Sequence, residues 1–521
     1  MSGDTTRLPV HEASDYEGGD RSLSADVVIV GSGAGGAVAA YELARTGKST
    51  IVLEAGPYVP SSEFNERHID MLERLYQDAG EQANSDGDVM ILQGRCLGGS
   101  TVVNAAAAFR PPAHVISDWR TEFGLTDLSP ERLSAIFARV ERNLAVHVNG
   151  VHERNANSRL LEAACDRLGW SHKPLARNVR DCALTGFCLA GCATDRKQSM
   201  LVTYLPWAIH HGAQVYTDTE VDRVLVEGSR AVGVTATVRD PKTRSVLGRL
   251  EVRAKIVVVA AGAIQSPLLL LRSGLANQNG LVGKNLATHP SVMLFGEMSA
   301  PIYGWSGATL GSYCDEFAAP ERGGYIFEFG MVAPDFSAGL PLGIGPEYLA
   351  LLERYRCCAS VSSLIHDRND GSVRYGADGK REILYRIAEQ DRAAIRGCIR
   401  RGAEMLFAGG ATRVLLPTIL PTAIDRSADV AGVVDSLTLE PGTVLFTSYH
   451  PQGTLRMGAD PSASVVGPLG ETHEVKRLFV TDASLFPTSI MVNPQITVYG
   501  LSTYISERIL ERANVYFGAT A

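Results

Sequence analysis

Apolar residues fall into two alternating patterns between Ala25 and Gly56. Val27 to Val30 is an unbroken β-branched run, which predicts a strand buried on both faces, as in a parallel sheet. An Ala-rich segment follows to about Thr46, and Gly47 behind it predicts a helix closed by glycine. "STIVLEAG" then predicts a second strand ending at Glu54. A similar strand-to-helix reading applies to "IVVVAAGAIQSPLLLL", residues 256–271. It is too short to cross a bilayer and is interrupted by Gln265, Ser266 and Pro267. "GAQVYTDTEVDRVLVEG" reads as strand, and "YGADGKRE" predicts a hairpin turning at Asp378-Gly379. The polar, acidic residues 1–24 lack any apolar pattern and predict a disordered arm.

Composition narrows the class. A chain of 521 residues, 45% hydrophobic, can form two large cores, or one domain interrupted by another. The formal charge of −8 and the lack of a Lys/Arg block exclude a nucleic-acid partner or a basic membrane patch. With no export signal at the start and no spanning segment, the expected location is cytoplasmic. Nine Cys, an odd number in such a chain, argue against a disulfide framework. Cys96, Cys165, Cys314, Cys357, Cys358 and Cys398 are expected to be buried.

The first chemistry comes from Gly31, Gly33 and Gly36, spaced G-x-G-x-x-G between strand and helix. Gly31 permits the tight turn, Gly33 lets backbone approach a pyrophosphate, and Gly36 lets helix and strand pack closely. Free N–H groups at the helix start attract the phosphates. Glu54, 23 residues after Gly31, is placed to accept hydrogen bonds from a ribose. This predicts dinucleotide binding, and the glycines alone do not choose between FAD and NAD. A second glycine-rich loop, "LQGRCLGGSTVVN", brackets Arg95 and Ser100 with Gly94, Gly98 and Gly99 and leads to Asn104. Two further loops, "SYHPQGTLRMG" and "MVNPQITVYG", hold His450 and Asn493 beside Pro451 and Pro494.

Taken in order, these motifs resemble the glucose–methanol–choline (GMC) oxidoreductase family, together with "VVVAAGAIQSPLLLLRSG" and "LFVTDASLFPTSIMVNPQITV". The resemblance implies an α/β fold: a Rossmann-like FAD-binding domain (25–117, 195–296 and 441–521) interrupted by an α+β substrate-binding cap (118–194 and 297–440). It implies FAD contacts at Gly31, Ser32, Gly33, Ala34, Gly35, Gly36, Glu54, Ala55, Arg95, Gly98, Gly99, Ser100, Asn104, Val221, Ala261, Asp482, Ala483, Asn493, Pro494 and Thr497. Val103 stands where some members attach FAD covalently through His, so the flavin is expected to be non-covalent.

The implied reaction is oxidation of an alcohol to an aldehyde or ketone. Hydride passes to flavin N5, His450 acts as base, and Asn493 fixes the hydroxyl. His289 is read as structural. Oxygen or another electron acceptor completes the cycle. "DCALTGFCLAGCATDRKQS" resembles a segment of the long-chain alcohol oxidase branch, and also one that holds an iron–sulfur cluster in sugar dehydrogenases. Cys182, Cys188 and Cys192 are therefore either buried or locally bridged, or they hold a cluster or another metal. Residues 301–355 are mostly small, aromatic and apolar, which favours a hydrophobic alcohol, medium or long-chain or aromatic. The alternative is a sugar or polyol dehydrogenase subunit passing electrons through a cluster to a cytochrome or quinone.

Overall fold

The computed structural model describes residues 7–16, 18–338, 345–368, 370–420 and 422–518. Val27 to Val30 form the buried end of β1 (Arg21–Val30), which turns through Gly31 into α1 (Ala34–Ala44) and on to β2 (Thr50–Leu53). Four further strands follow: β3 (Gln214–Tyr216), β4 (Thr219–Glu227), β5 (Arg230–Arg239) and β6 (Val246–Val259). The chain then enters α2 (Gly262–Ser273), and after the cap returns as β7 (Leu478–Val480) and α3 (Gln495–Glu511).

These seven strands make one sheet in the order β3-β2-β1-β6-β5-β4, with β7 also beside β6. β1, β2, β3, β6 and β7 run parallel, while β4 and β5 form an antiparallel ribbon on β6. Val27 to Val30 lie beside Ile256 to Val259, so the two uninterrupted apolar runs are central neighbours buried on both faces. α1 and α3 pack together on one face. α2 continues straight through Pro267. That ring has no N–H for the carbonyl of Ala263, and the Thr454 hydroxyl donates to the carbonyl instead, at 2.6 Å.

The cap is built on a second seven-stranded sheet, all antiparallel. Phe327 and Phe329 of strand Tyr325–Gly330 enter a core shared with helices Ala156–Leu168 and Arg392–Ala408. Glu328 and Gly330, between and beyond them, face the opposite way. The hairpin predicted around Asp378-Gly379 joins Gly371–Tyr375 to Arg381–Leu384, with Gly379 at φ +74°.

Three sequence expectations are corrected here. The boundary at 118 cuts helix Ala113–Glu122, whose Val115, Ile116 and Trp119 join the nucleotide-domain core. Helix Pro130–Asn143 packs there too, against α3, so this side runs to about residue 144. The boundary at 296 cuts cap strand Met293–Glu297. Much of the described part of the arm expected to be disordered over 1–24 is paired. His11 accepts from Thr217 and donates to Val215, covering the edge strand β3, and Leu8 N donates to Tyr58 Oη at 3.0 Å. Residues 1–6 and 17 of that arm, and 339–344 of the expected apolar pocket segment, lie outside the described residues.

Candidate active site

One cavity of ≈ 470 Å³ runs from the first glycine turn to His450 and Asn493. Of the expected cofactor residues, all but Ser32, Gly36, Gly98 and Thr497 line it. Those four stand behind the wall. Ser32 N and Oγ donate to Glu54 Oε2 at 2.9 and 2.6 Å, and Gly98 N donates to Ser32 Oγ at 2.9 Å. A Cβ on Gly36 would lie 1.9 Å from the Gly31 carbonyl oxygen, so Gly36 serves packing of helix on turn. Thr497 is buried within α3.

The cradle fits a dinucleotide. Gly31 at φ +95° makes the turn, and α1 begins at Gly33 with no side-chain cap, leaving its first N–H groups to a ligand in the cavity. A Cβ on Gly99 would come within 2.9 Å of Gly33 Cα, so the two glycine loops meet at backbone contact. Glu54 is held by Ser32 on one oxygen and by Gly56 N on the other, at 2.8 Å. Lys197, fully buried, donates to the carbonyls of Val102, Asn104 and Cys188 at 2.6, 2.7 and 2.7 Å. It ties the second glycine loop to the cysteine segment. Asp482 closes the floor, accepting from Gly262 N at 2.8 Å and from Ser266 and Ser484.

At the far end, Asn493 Nδ2 lies 3.5 Å from His450 Nε2. The loop that carries His450 is fastened to residues 287–291 by backbone bonds between Ala287 and Gln452 and between Ser291 and Thr447. These bonds bring His289 to the back of His450, with Nδ1 to Nδ1 at 3.4 Å. His289 was read from the sequence as structural between the two domains; it contacts the candidate catalytic residue directly. Burial pushes His450 down to about 3, well away from the neutral range in which a free imidazole titrates. His289 is likewise pushed down by burial and by His450. Asp367, buried, takes Thr288 N, His289 N, Tyr385 Oη and Ser489 Oγ at 2.8 to 3.2 Å, joining these loops at one carboxylate.

Sequence reasoning missed two side chains in this wall. Gln495 accepts from Asn104 Nδ2 and donates to Ala107 O and Asn178 Oδ1, bracing Asn104. Glu328 reaches the cavity from the cap strand, 6% exposed, its carboxyl pushed up to about 7 by burial. Only its position in an apolar strand marked it. The cysteine segment holds free thiols: Cys192 Sγ accepts from Lys197 N at 3.4 Å. Among the described residues no three His, Cys, Asp or Glu side chains come together as a metal site, which gives the cluster and metal readings of Cys182, Cys188 and Cys192 no support. None of the described helices is long and apolar enough to cross a membrane.

Sequence comparison matches residues 72–291 and 367–502 to GMC oxidoreductases and 26–90 to an FAD-binding domain. An uncharacterised GMC-type oxidoreductase of Mycobacterium tuberculosis is 34% identical over 491 residues, covering 94% of this chain and 76% of the relative. A long-chain-alcohol oxidase of Arabidopsis thaliana is 29% identical over 514 residues, covering 94% of this chain and 68% of its own. In three dimensions the fold matches pyridoxine 4-oxidase from Mesorbium loti, with a TM-score of 0.71 and 18% identity over 93% of this chain and 99% of that one. Formate oxidase matches at 0.69 and 17% identity, over 96% and 100%. With the glycine cradle, Glu54 and the paired His450 and Asn493 in one cavity, the chain belongs to the GMC oxidoreductase family of FAD-dependent enzymes.

Proposed function

We propose that this enzyme oxidises a hydrophobic primary or secondary alcohol, medium or long-chain or aromatic, to the aldehyde or ketone with non-covalently bound FAD. The observation that carries the reading is the His450–Asn493 pair at the end of the cavity that begins at the glycine turn. Bound FAD supplies the two-electron sink that accepts the substrate's hydride. Gly31 to Gly35 and the start of α1 would hold its phosphates, Glu54 its ribose, and the loop around Gly99 and Asn104 would contribute the facing wall. Val103 offers no nucleophile for covalent attachment.

Met293, Leu310, Met331 and Val332 line the same cavity as His450, which suits an apolar substituent better than a sugar with many hydroxyls to satisfy. Similarity to long-chain-alcohol oxidases supports the same substrate class. The hydroxyl proton needs an acceptor within hydrogen-bond reach. His450 is the acceptor expected from the sequence, and Glu328 is a second group at the same place. Oxygen or another electron acceptor would complete the cycle.

The test is an anaerobic titration of the purified flavoprotein with fatty alcohols, aromatic alcohols and sugars. The flavin absorption band bleaches with alcohols of the first two classes. A band untouched by every alcohol, or bleached by sugars alone, would overturn the assignment.

A further inference from the structure

The cap sheet turns one face to the cavity, and strand register decides which side chains share that face. Met293 of strand Met293–Glu297 lies opposite Ser362, and Ser362 in turn lies opposite Glu328 of strand Tyr325–Gly330. Cross-strand partners point to the same side of a sheet, and all three residues line the cavity. They form one row. At one end Glu328 faces the Asn493 amide, which pairs with His450. At the other end stands Met293, two strand spacings away, or about 10 Å.

The apolar surface continues past Met293. Alternation along the strand puts Phe295 on the same face, and Phe295 lies opposite Leu415 of strand Arg413–Leu416. A second cavity of ≈ 30 Å³ opens here, lined among others by Met293, Phe295, Leu351, Leu415, Pro417 and Leu445. Met293 lines both spaces, whereas Phe295 and Leu415 line only the second. Helix Pro346–Arg354 covers it, with Leu351 in one apolar cluster with Phe295, Tyr355 and Met331. Met331 also lines the main cavity, and Tyr355 Oη donates to the carbonyl of its neighbour Val332 at 2.8 Å. The cover of the small cavity and the wall of the large one are therefore one packed unit.

Protein interiors are close-packed, and unfilled apolar volume costs stability. This void lies directly behind a methionine, whose unbranched and flexible side chain adapts to what is packed against it. Its mostly apolar walls suit a hydrocarbon.

Resting on the alcohol-oxidation reading above, we propose that Met293 gates an alkyl subsite shared between the two cavities, which makes the substrate a straight-chain aliphatic alcohol. The hydroxyl carbon sits at His450 and Asn493, and the tail lies along the row from Glu328 to Met293. An extended chain with C–C bonds of about 1.5 Å advances about 1.3 Å per carbon, so about eight carbons span the row. Shorter tails end before Met293. Longer ones displace its thioether and enter the second cavity against Phe295 and Leu415. Met293 is thus a specificity-determining residue, set apart from the reacting atoms.

The experiment measures the second-order rate constant of anaerobic flavin reduction in the holoenzyme, for straight primary alcohols from butanol to dodecanol. In wild type the constant should climb about fourfold per carbon, the worth of one buried methylene. The climb should bend at about octanol, where Met293 has to move. Met293→Ala opens the gate, and two further methylenes find room, so the decanol-to-hexanol ratio should rise about tenfold. Leu415→Phe fills the second cavity and should lower the same ratio about fourfold. A ratio cancels any general loss of activity, and Leu415 does not line the main cavity. A wild-type profile without a bend, or a ratio unmoved in either variant, overturns the subsite while alcohol oxidation stands. Reduction by aromatic alcohols alone does the same. Flavin untouched by every alcohol takes down both readings. Should one variant fail to fold, the other and the wild-type profile decide.

Discussion

Lys197 shows what one side chain does for this site. Burial pushes its pKa down, yet three carbonyl acceptors and the nearby thiols of Cys188, Cys192 and Cys96 hold it in place. Lys197→Met keeps the stem and removes every donor, leaving the carbonyls of Val102, Asn104 and Cys188 unpaired in the interior. Each such group costs about 1–3 kcal/mol. We expect the variant to unfold at lower temperature and to be purified with less than one flavin per chain, because the second glycine loop loses its anchor. Full flavin content and an unchanged melting curve would show that water or a neighbour replaces the ammonium. At this scale the sequence was legible where chemistry is local: Gly31, Glu54, His450 and Asn493 sit in short motifs. Glu328 was not legible, because its neighbours Phe327 and Phe329 describe a strand without saying which face meets the cavity. His289 was noted, but its contact with His450 depends on two loops that meet only in space.

Among the elements, α2 does not satisfy its own backbone. Pro267 removes one helical N–H, and the orphaned Ala263 carbonyl is satisfied from the loop that carries His450, through Thr454. The helix and the loop that carries His450 therefore share a hydrogen bond that neither segment's own pattern reveals. Thr454→Val is nearly isosteric and deletes only the donor. It should cost about 1–3 kcal/mol in denaturant unfolding, with the slope unchanged because the surface exposed on unfolding is the same. A variant as stable as wild type would mean the carbonyl finds another donor. The strand-to-helix turn was readable from the apolar run; its repair at Pro267 was not. The same limit explains the misplaced cap boundary: helix Pro130–Asn143 is amphipathic, and amphipathicity predicts burial without naming a partner.

At the scale of the whole molecule, two cores meet at the cavity, and its wall takes residues from both. Val30 and Leu53 belong to the nucleotide-domain core, while Leu268 belongs to the core that extends through the cap. A cofactor in that space replaces solvent between two halves of the fold, so its binding energy becomes folding energy for both. Occupancy at 100 times the dissociation constant adds about 2.7 kcal/mol. Protein stripped of flavin should therefore melt earlier than the holoenzyme, and its melting temperature should climb with added FAD. Both halves should respond, so a tryptophan signal from Trp119 in the first core and one from Trp305 beside the cap strands should shift together. Added NAD should leave both signals where they are, since its nicotinamide half lacks the ring system that reaches from the glycine loops to His450. Equal stabilisation by NAD, or a shift confined to the Trp119 side, would separate the cradle from the cap and leave the His450–Asn493 pair without a cofactor to serve.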